Sequence, residues 1–156
     1  MKHGISPRSS GFTLIELMVV VAILAVLASA AAPSFQKILA AQLMRSVSFD
    51  MVADLTLARS EAIKRGANVT IAPATGGWNY GWKVTLASNG ELISQRNAVG
   101  TSVIFTSSPS SITFDQNGRI SSISTSTKFA LSDGARNRCI SIDPSGRPKS
   151  STLACI

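Results

Sequence analysis

The chain has 156 residues, 45% of them hydrophobic, which is enough for one modest core beside an apolar segment but not for two domains. Fifteen Lys and Arg against eight Asp and Glu give a formal net charge of +7, and the single histidine is His3, so the body of the chain lacks the usual general base, proton shuttle and metal ligand. The acids Asp50, Asp54, Glu61, Glu91, Asp115, Asp133 and Asp143 show no metal-ligand spacing, and no P-loop or dinucleotide fingerprint occurs. Composition and motifs therefore point away from an enzyme, a bound metal or a cofactor.

Behind a short basic leader with Lys2 and Arg8, residues 11–32 form a nearly unbroken apolar run. From Phe12 to Ala32 a helix would reach roughly 30 Å, the thickness of a bilayer's hydrocarbon core. Lys2 and Arg8 place the leader in the cytoplasm and everything after Pro33 across the membrane. A cleaved secretory signal would show a similar charge and size pattern. Against it stands Glu16 within the apolar run, a carboxylate that is costly in lipid unless it meets a partner and is thus a functional candidate.

The residues Gly11-Phe12-Thr13-Leu14-Ile15-Glu16 resemble the processing site of type IV pilins and pseudopilins. The resemblance implies a prepilin peptidase that cuts between Gly11 and Phe12 and methylates the new amino terminus on Phe12. The apolar helix would then remain as an inner-membrane anchor and later enter a filament. Glu16 would meet the terminal amine of a neighbouring subunit, a pairing that makes a buried carboxylate tolerable.

Past Pro33, residues 34–66 continue a helical pattern. Ile38 or Leu39, Leu43, Val47, Met51 or Val52, Leu55, Ala58 and Ala62 fall on one face, and Gly66 is placed to close the helix. Pro33 predicts a bend where one backbone hydrogen bond is lost. From residue 67 the period becomes extended, with strands expected at Val69–Ala72, Trp82–Ala87, Leu92–Gln95, Val103–Thr106, Ile112–Phe114, Arg119–Ile123, Phe129–Leu131 and Cys139–Ile142. Asn89-Gly90 and Asn117-Gly118 predict type I′ hairpin turns. Trp78 and Trp82 read as packing anchors, and the serine-rich stretch from Ser107 to Ser126 as a solvated connection. The expected architecture is α+β and pilin-like. A leader over 1–11 is removed, 12–33 spans the membrane, 34–66 is the amphipathic continuation of the helix, and 67–156 is a periplasmic antiparallel β-sheet domain packed on that helix.

The helix text Asp54-Leu55-Thr56-Leu57-Ala58-Arg59-Ser60-Glu61-Ala62-Ile63-Lys64-Arg65, the Gly81-Trp82 element and the late Gly146-Arg147 hairpin are similar to the GspH/FimT family of minor pseudopilins and minor pilins. That family implies a low-abundance subunit that helps start or cap a type IV pilus or a type II secretion pseudopilus, with other pilin subunits, the inner membrane and prepilin peptidase as partners. Cys139 and Cys155 form an even pair in an exported chain, either as a disulfide worth about 3 kcal/mol or as two separate thiols. In the same tail Arg136, Arg138, Arg147 and Lys149 face a single acid, Asp143. Alternation predicts that Arg136 shares a side with Arg138 and Arg147 with Lys149, a two-pronged cationic patch fit for phosphates. In the FimT branch a Gly-Arg-x-Arg element here is associated with DNA uptake. Gly146-Arg147-Pro148-Lys149 departs from it by ending in lysine, which loses the planar fork. Double-stranded DNA is thus a second candidate partner.

Overall fold

The computed structural model describes residues 11–123 and 127–155. The chain divides into two compact units, Met1–Ile38 and Leu39–Ile156. Helix α1, Leu14–Arg65, is continuous through Pro33. It closes at Gly66, whose φ of 61° lets the Gly66 N–H reach the Ile63 carbonyl (3.3 Å) and the Ala67 N–H reach the Ala62 carbonyl (3.2 Å). This pair of bonds is a Schellman cap, and Lys64 and Arg65 complement the dipole end. Hydroxyls along the helix return to its own carbonyls: Ser29 to Val26 (2.7 Å), Thr56 to Val52 (2.7 Å) and Ser60 to Leu57 (2.9 Å).

Within Leu39–Ile156, nine strands form two sheets among the described residues. The first has the order β3-β2-β1-β5-β6, from Leu92–Arg96, Gly77–Leu86, Val69–Ala74, Ile112–Phe114 and Ile120–Ile123. The second has the order β4-β7-β8-β9, from Ile104–Ser107, Lys128–Ser132, Asn137–Ile142 and Pro148–Ser151. Every pairing is antiparallel. Met44, Val47, Met51, Leu55, Ala58 and Ala62 of α1 join one core with Ile71, Val84 and Phe114 of the first sheet and Phe129, Leu131 and Ile140 of the second. Ile38 and Leu39, expected on the buried face, are 56% and 53% exposed, so the inward stripe begins later, at Leu43 and Met44.

Two sheets, rather than the single one expected, follow from the way β2 is used. Its second half pairs β1 and β3, while its first half faces the other sheet. Trp78 packs edge-on against Phe129 of β7 (4.9 Å between centroids) and donates its indole N–H to the Pro109 carbonyl (2.7 Å). Asn79 bonds both the Val103 carbonyl and the Phe105 N–H. Gly81, at φ 103°, permits this change of course: a Cβ there would strike the Arg96 carbonyl oxygen. The strand therefore starts at Gly77, five residues before its expected start.

The Asn-Gly turns are not type I′, because among the described residues only glycines have positive φ. Asp115 to Arg119 is instead a three-residue hairpin loop: the Gly118 N–H bonds the Asp115 carbonyl (2.8 Å), and the Asp115 carboxylate accepts the Asn117 and Arg119 N–H groups. Asp143 to Arg147 repeats the loop, with the Gly146 N–H on the Asp143 carbonyl (2.8 Å) and the Arg147 N–H on the Asp143 carboxylate (3.1 Å). A glycine after a type I turn supplies the left-handed residue that such a loop requires. The serine-rich stretch holds β5 and β6, and its last residues, 124–126, lie outside the described residues.

Candidate functional site

Thr13 caps the start of α1, its carbonyl accepting the Leu17 N–H (3.2 Å). The Glu16 N–H donates to the Thr13 hydroxyl oxygen (3.3 Å), and the Thr13 N–H and hydroxyl donate to one Glu16 carboxylate oxygen (both 3.2 Å). Thr13-x-x-Glu16 is thus a reciprocal capping box, and the carboxylate satisfies the start of its own helix. Around it the large apolar side chains are uncovered: Phe12 is 82% and Leu14 76% exposed. The window Leu14–Ala31 has a mean hydropathy of 2.6 and none of it is buried. A helix this apolar and this bare belongs in lipid or against other apolar helices. Gly11 and Phe12, the expected processing pair, stand just before the capped turn. The leader residues Lys2, His3 and Arg8 lie outside the described residues.

At the other end of the chain a disulfide joins Cys139 of β8 to Cys155, with 5.0 Å between Cα atoms. It ties the segment after β9 to the strand that β9 pairs. The four basic residues do not converge on one patch. The β8–β9 register pairs Ser141 with Lys149 and Ile142 with Pro148, so Lys149 projects from the face opposite the buried Ile140 and Ile142. Arg138, two residues before Ile140, is on their side. Arg147 sits at the closed end of the hairpin, next to the Asp143 turn, while Arg136 and Arg138 lie at its open end. Alternation pairs Arg136 with Arg138 and Arg147 with Lys149, and the register sets these two pairs toward opposite ends of the hairpin rather than in one patch.

Arg136 and Arg138 instead line a cleft of about 350 Å³ with Ala41, Met44 and Arg45 of α1, Asn137, and Thr152 after β9. At the closed end the Arg59 Nε–H of α1 donates to the Gly118 carbonyl (3.0 Å), and Gly146 abuts that same oxygen so closely that a Cβ would strike it. The twin Asp-x-x-Gly-Arg turns of the two sheets therefore meet at Arg59. Among the described residues no group of three or more His, Cys, Asp or Glu is placed to hold a metal.

The family model of the type II transport protein GspH matches residues 50–146, well over half of the chain. The chain belongs to the GspH family. The model of the prokaryotic N-terminal methylation motif matches residues 6–32, covering the capping box and the apolar window. Two crystal structures of the type IV minor pilin FimU of Pseudomonas aeruginosa share the fold. One is 23% identical with a TM-score of 0.59, covering 71% of this chain and 91% of that one; the other is 24% identical with a TM-score of 0.56, covering 71% and 96%. No curated protein sequence gives a significant match. GspH-family membership makes this a non-enzymatic, pilin-like protein with one N-terminal membrane-spanning helix and a larger domain outside the membrane.

The GspH match contains a site that sequence reasoning passed over. Asp54, 3% exposed, accepts the Trp82 indole N–H (2.9 Å) and the Arg96 Nε–H (2.8 Å), with the Ser94 hydroxyl at 3.4 Å. Asp50, one helical turn earlier, lies 3.5 Å from the other end of Arg96. An acid at an inward helical position was the available signal, but its donors lie 28 to 42 residues away and are brought near only by strand pairing. The match ends at Gly146, so Arg147, Lys149 and Cys155 are outside it.

Proposed function

We propose that this chain is a minor subunit of a type IV pilus or type II secretion pseudopilus that acts in filament initiation or at the tip. In this reading prepilin peptidase cuts between Gly11 and Phe12 and methylates Phe12. The helix over 12–33 holds the subunit in the inner membrane, and Glu16 is the assembly contact. One observation carries it: a helix bare from Leu14 to Leu27 bears a single acid there, in a chain that combines the methylation motif with a GspH domain. An uncovered apolar surface of this length is stable only in lipid or within a polymer. Mass spectrometry of the mature protein should find an N-methylated phenylalanine as its first residue; a start near Pro33 would remove the proposal. Glu16→Gln should leave membrane insertion intact and abolish recovery of the subunit with sheared filaments.

The DNA-uptake alternative, through Arg136, Arg138, Arg147 and Lys149, is supported by the charge of the tail alone. Because the hairpin register separates these residues, it requires a duplex to touch both ends of β8–β9. Binding to double-stranded DNA should then weaken steeply with salt and fall on neutralising either end. Binding indifferent to either pair rejects it.

A further inference from the structure

The cleft between α1 and the open end of the β8–β9 hairpin has a chemical character that the assembly reading does not use. Its floor is apolar, from Ala41 and the buried Met44, and its rim carries the guanidinium groups of Arg45, Arg136 and Arg138 with the neutral donors Asn137 and Thr152. No acid lines it. The acids nearest in sequence are committed elsewhere: Asp50 lies against Arg96, and the Asp133 carboxylate accepts the Ala135 and Arg136 backbone N–H groups. Arg45 is exposed, and among the described residues the Arg138 guanidinium makes a long contact to the Ser150 hydroxyl (3.4 Å). Neither has a carboxylate within ion-pair distance among the described residues.

We propose that this cleft receives a carboxylate side chain, Glu or Asp, presented by a neighbouring subunit. The proposal rests on the filament-subunit reading and names the chemistry of one contact within it. A planar guanidinium fork pairs a carboxylate with two parallel hydrogen bonds, and Arg45 and Arg138 approach from separate elements, as clamping one group requires. The floor of Ala41 and Met44 accommodates the methylene stem of an acidic side chain. Duplex phosphates lie on a convex surface and are met by raised cations, so a recess with an apolar floor favours the acidic peptide over nucleic acid.

The test uses the full chain in detergent micelles and a fluorescein-labelled peptide carrying two adjacent glutamates. Its diglutamine counterpart, inorganic phosphate and a short DNA duplex serve as competitors. The labelled peptide should bind at low salt, the diglutamine peptide should not displace it, and phosphate or duplex should compete only far above the peptide's own concentration. Arg45→Gln with Arg138→Gln should weaken binding about tenfold or more, and Arg147→Gln should leave it unchanged. No peptide binding, equal competition by diglutamine or phosphate, or tighter duplex binding with the same dependence on Arg45 and Arg138 would each overturn the proposal. The filament reading stands or falls separately. If Glu16 is needed for incorporation but the peptide does not bind, only the cleft contact is lost. If Glu16→Gln incorporates normally, the filament reading fails whatever the peptide does.

Discussion

Replacing Asp54 by alanine would strand the Trp82 indole and the Arg96 guanidinium at once, since both donate to one buried carboxylate. Hydrogen bonds to a charged group contribute about 1.5–3 kcal/mol, and Arg96, being 42% exposed, can turn to water whereas Trp82 cannot. Asp54→Ala should therefore cost roughly 2–3 kcal/mol in thermal or denaturant unfolding; a loss below about 0.5 kcal/mol would mean the cluster is not a stabilising clamp. The surface carboxylates respond to pH. Arg65 bonds both Glu61 (2.7 Å) and Glu91 (2.8 Å) and holds their carboxyl groups below the usual range, and the Ser145 hydroxyl does the same for Asp143. Groups whose folded pKa is lowered contribute stability above their unfolded pKa, and that stability is lost as pH falls through the folded value. Melting temperature should decline as pH drops below the ordinary carboxylate range, and Arg65→Gln should flatten that decline. An identical acid profile in the variant would reject the assignment.

At the scale of elements, the twin turns are the tightest junction. A Cβ at Gly146, where φ is 81°, would meet the Gly118 carbonyl oxygen that also accepts from Arg59. Gly146→Ala should combine left-handed strain with a backbone clash and destabilise by more than about 2 kcal/mol. Gly134→Ala is the control, because its φ is also positive (85°) but nothing lies near it. Equal losses at the two positions would show that backbone strain alone is responsible. Elements with strong local signals were readable in the sequence. The end of α1 at Gly66 agrees with the structure and each of the eight expected strands falls on an observed one, with β2 beginning earlier than expected, since apolar periodicity and glycine caps are local properties. The second arm of the late hairpin, β9 at Pro148–Ser151, carries no strand signal of its own, because Pro-Lys-Ser-Ser has no β-branched or aromatic residue; it is a strand only by virtue of its pairing with β8. The hairpin type was misread because Asn-Gly occurs in both two-residue and longer loops, and the upstream Asp115 carboxylate selects the longer one.

For the molecule as a whole, the disulfide is the chief long-range restraint of the tail. Cys155→Ser, or reduction, should cost about 3 kcal/mol in the chain-entropy model and loosen the segment after β9. Proteolysis of that segment should accelerate in the variant, and an unchanged digestion pattern would show that β9 is held by its ladder alone. Fold class and membrane segment were legible because they depend on composition and period. The grouping of the basic residues was not, because it depends on strand register and on Arg45 arriving from α1, some 90 residues upstream of Arg136 and Arg138. The hydroxyls of Ser29, Thr56 and Ser60 each return to a carbonyl of their own helix, so these polar groups ask nothing of their surroundings. Of the three, Ser29 alone lies in the span that we propose passes from membrane to polymer, and there one greasy environment can replace another without any hydrogen bond having to be traded.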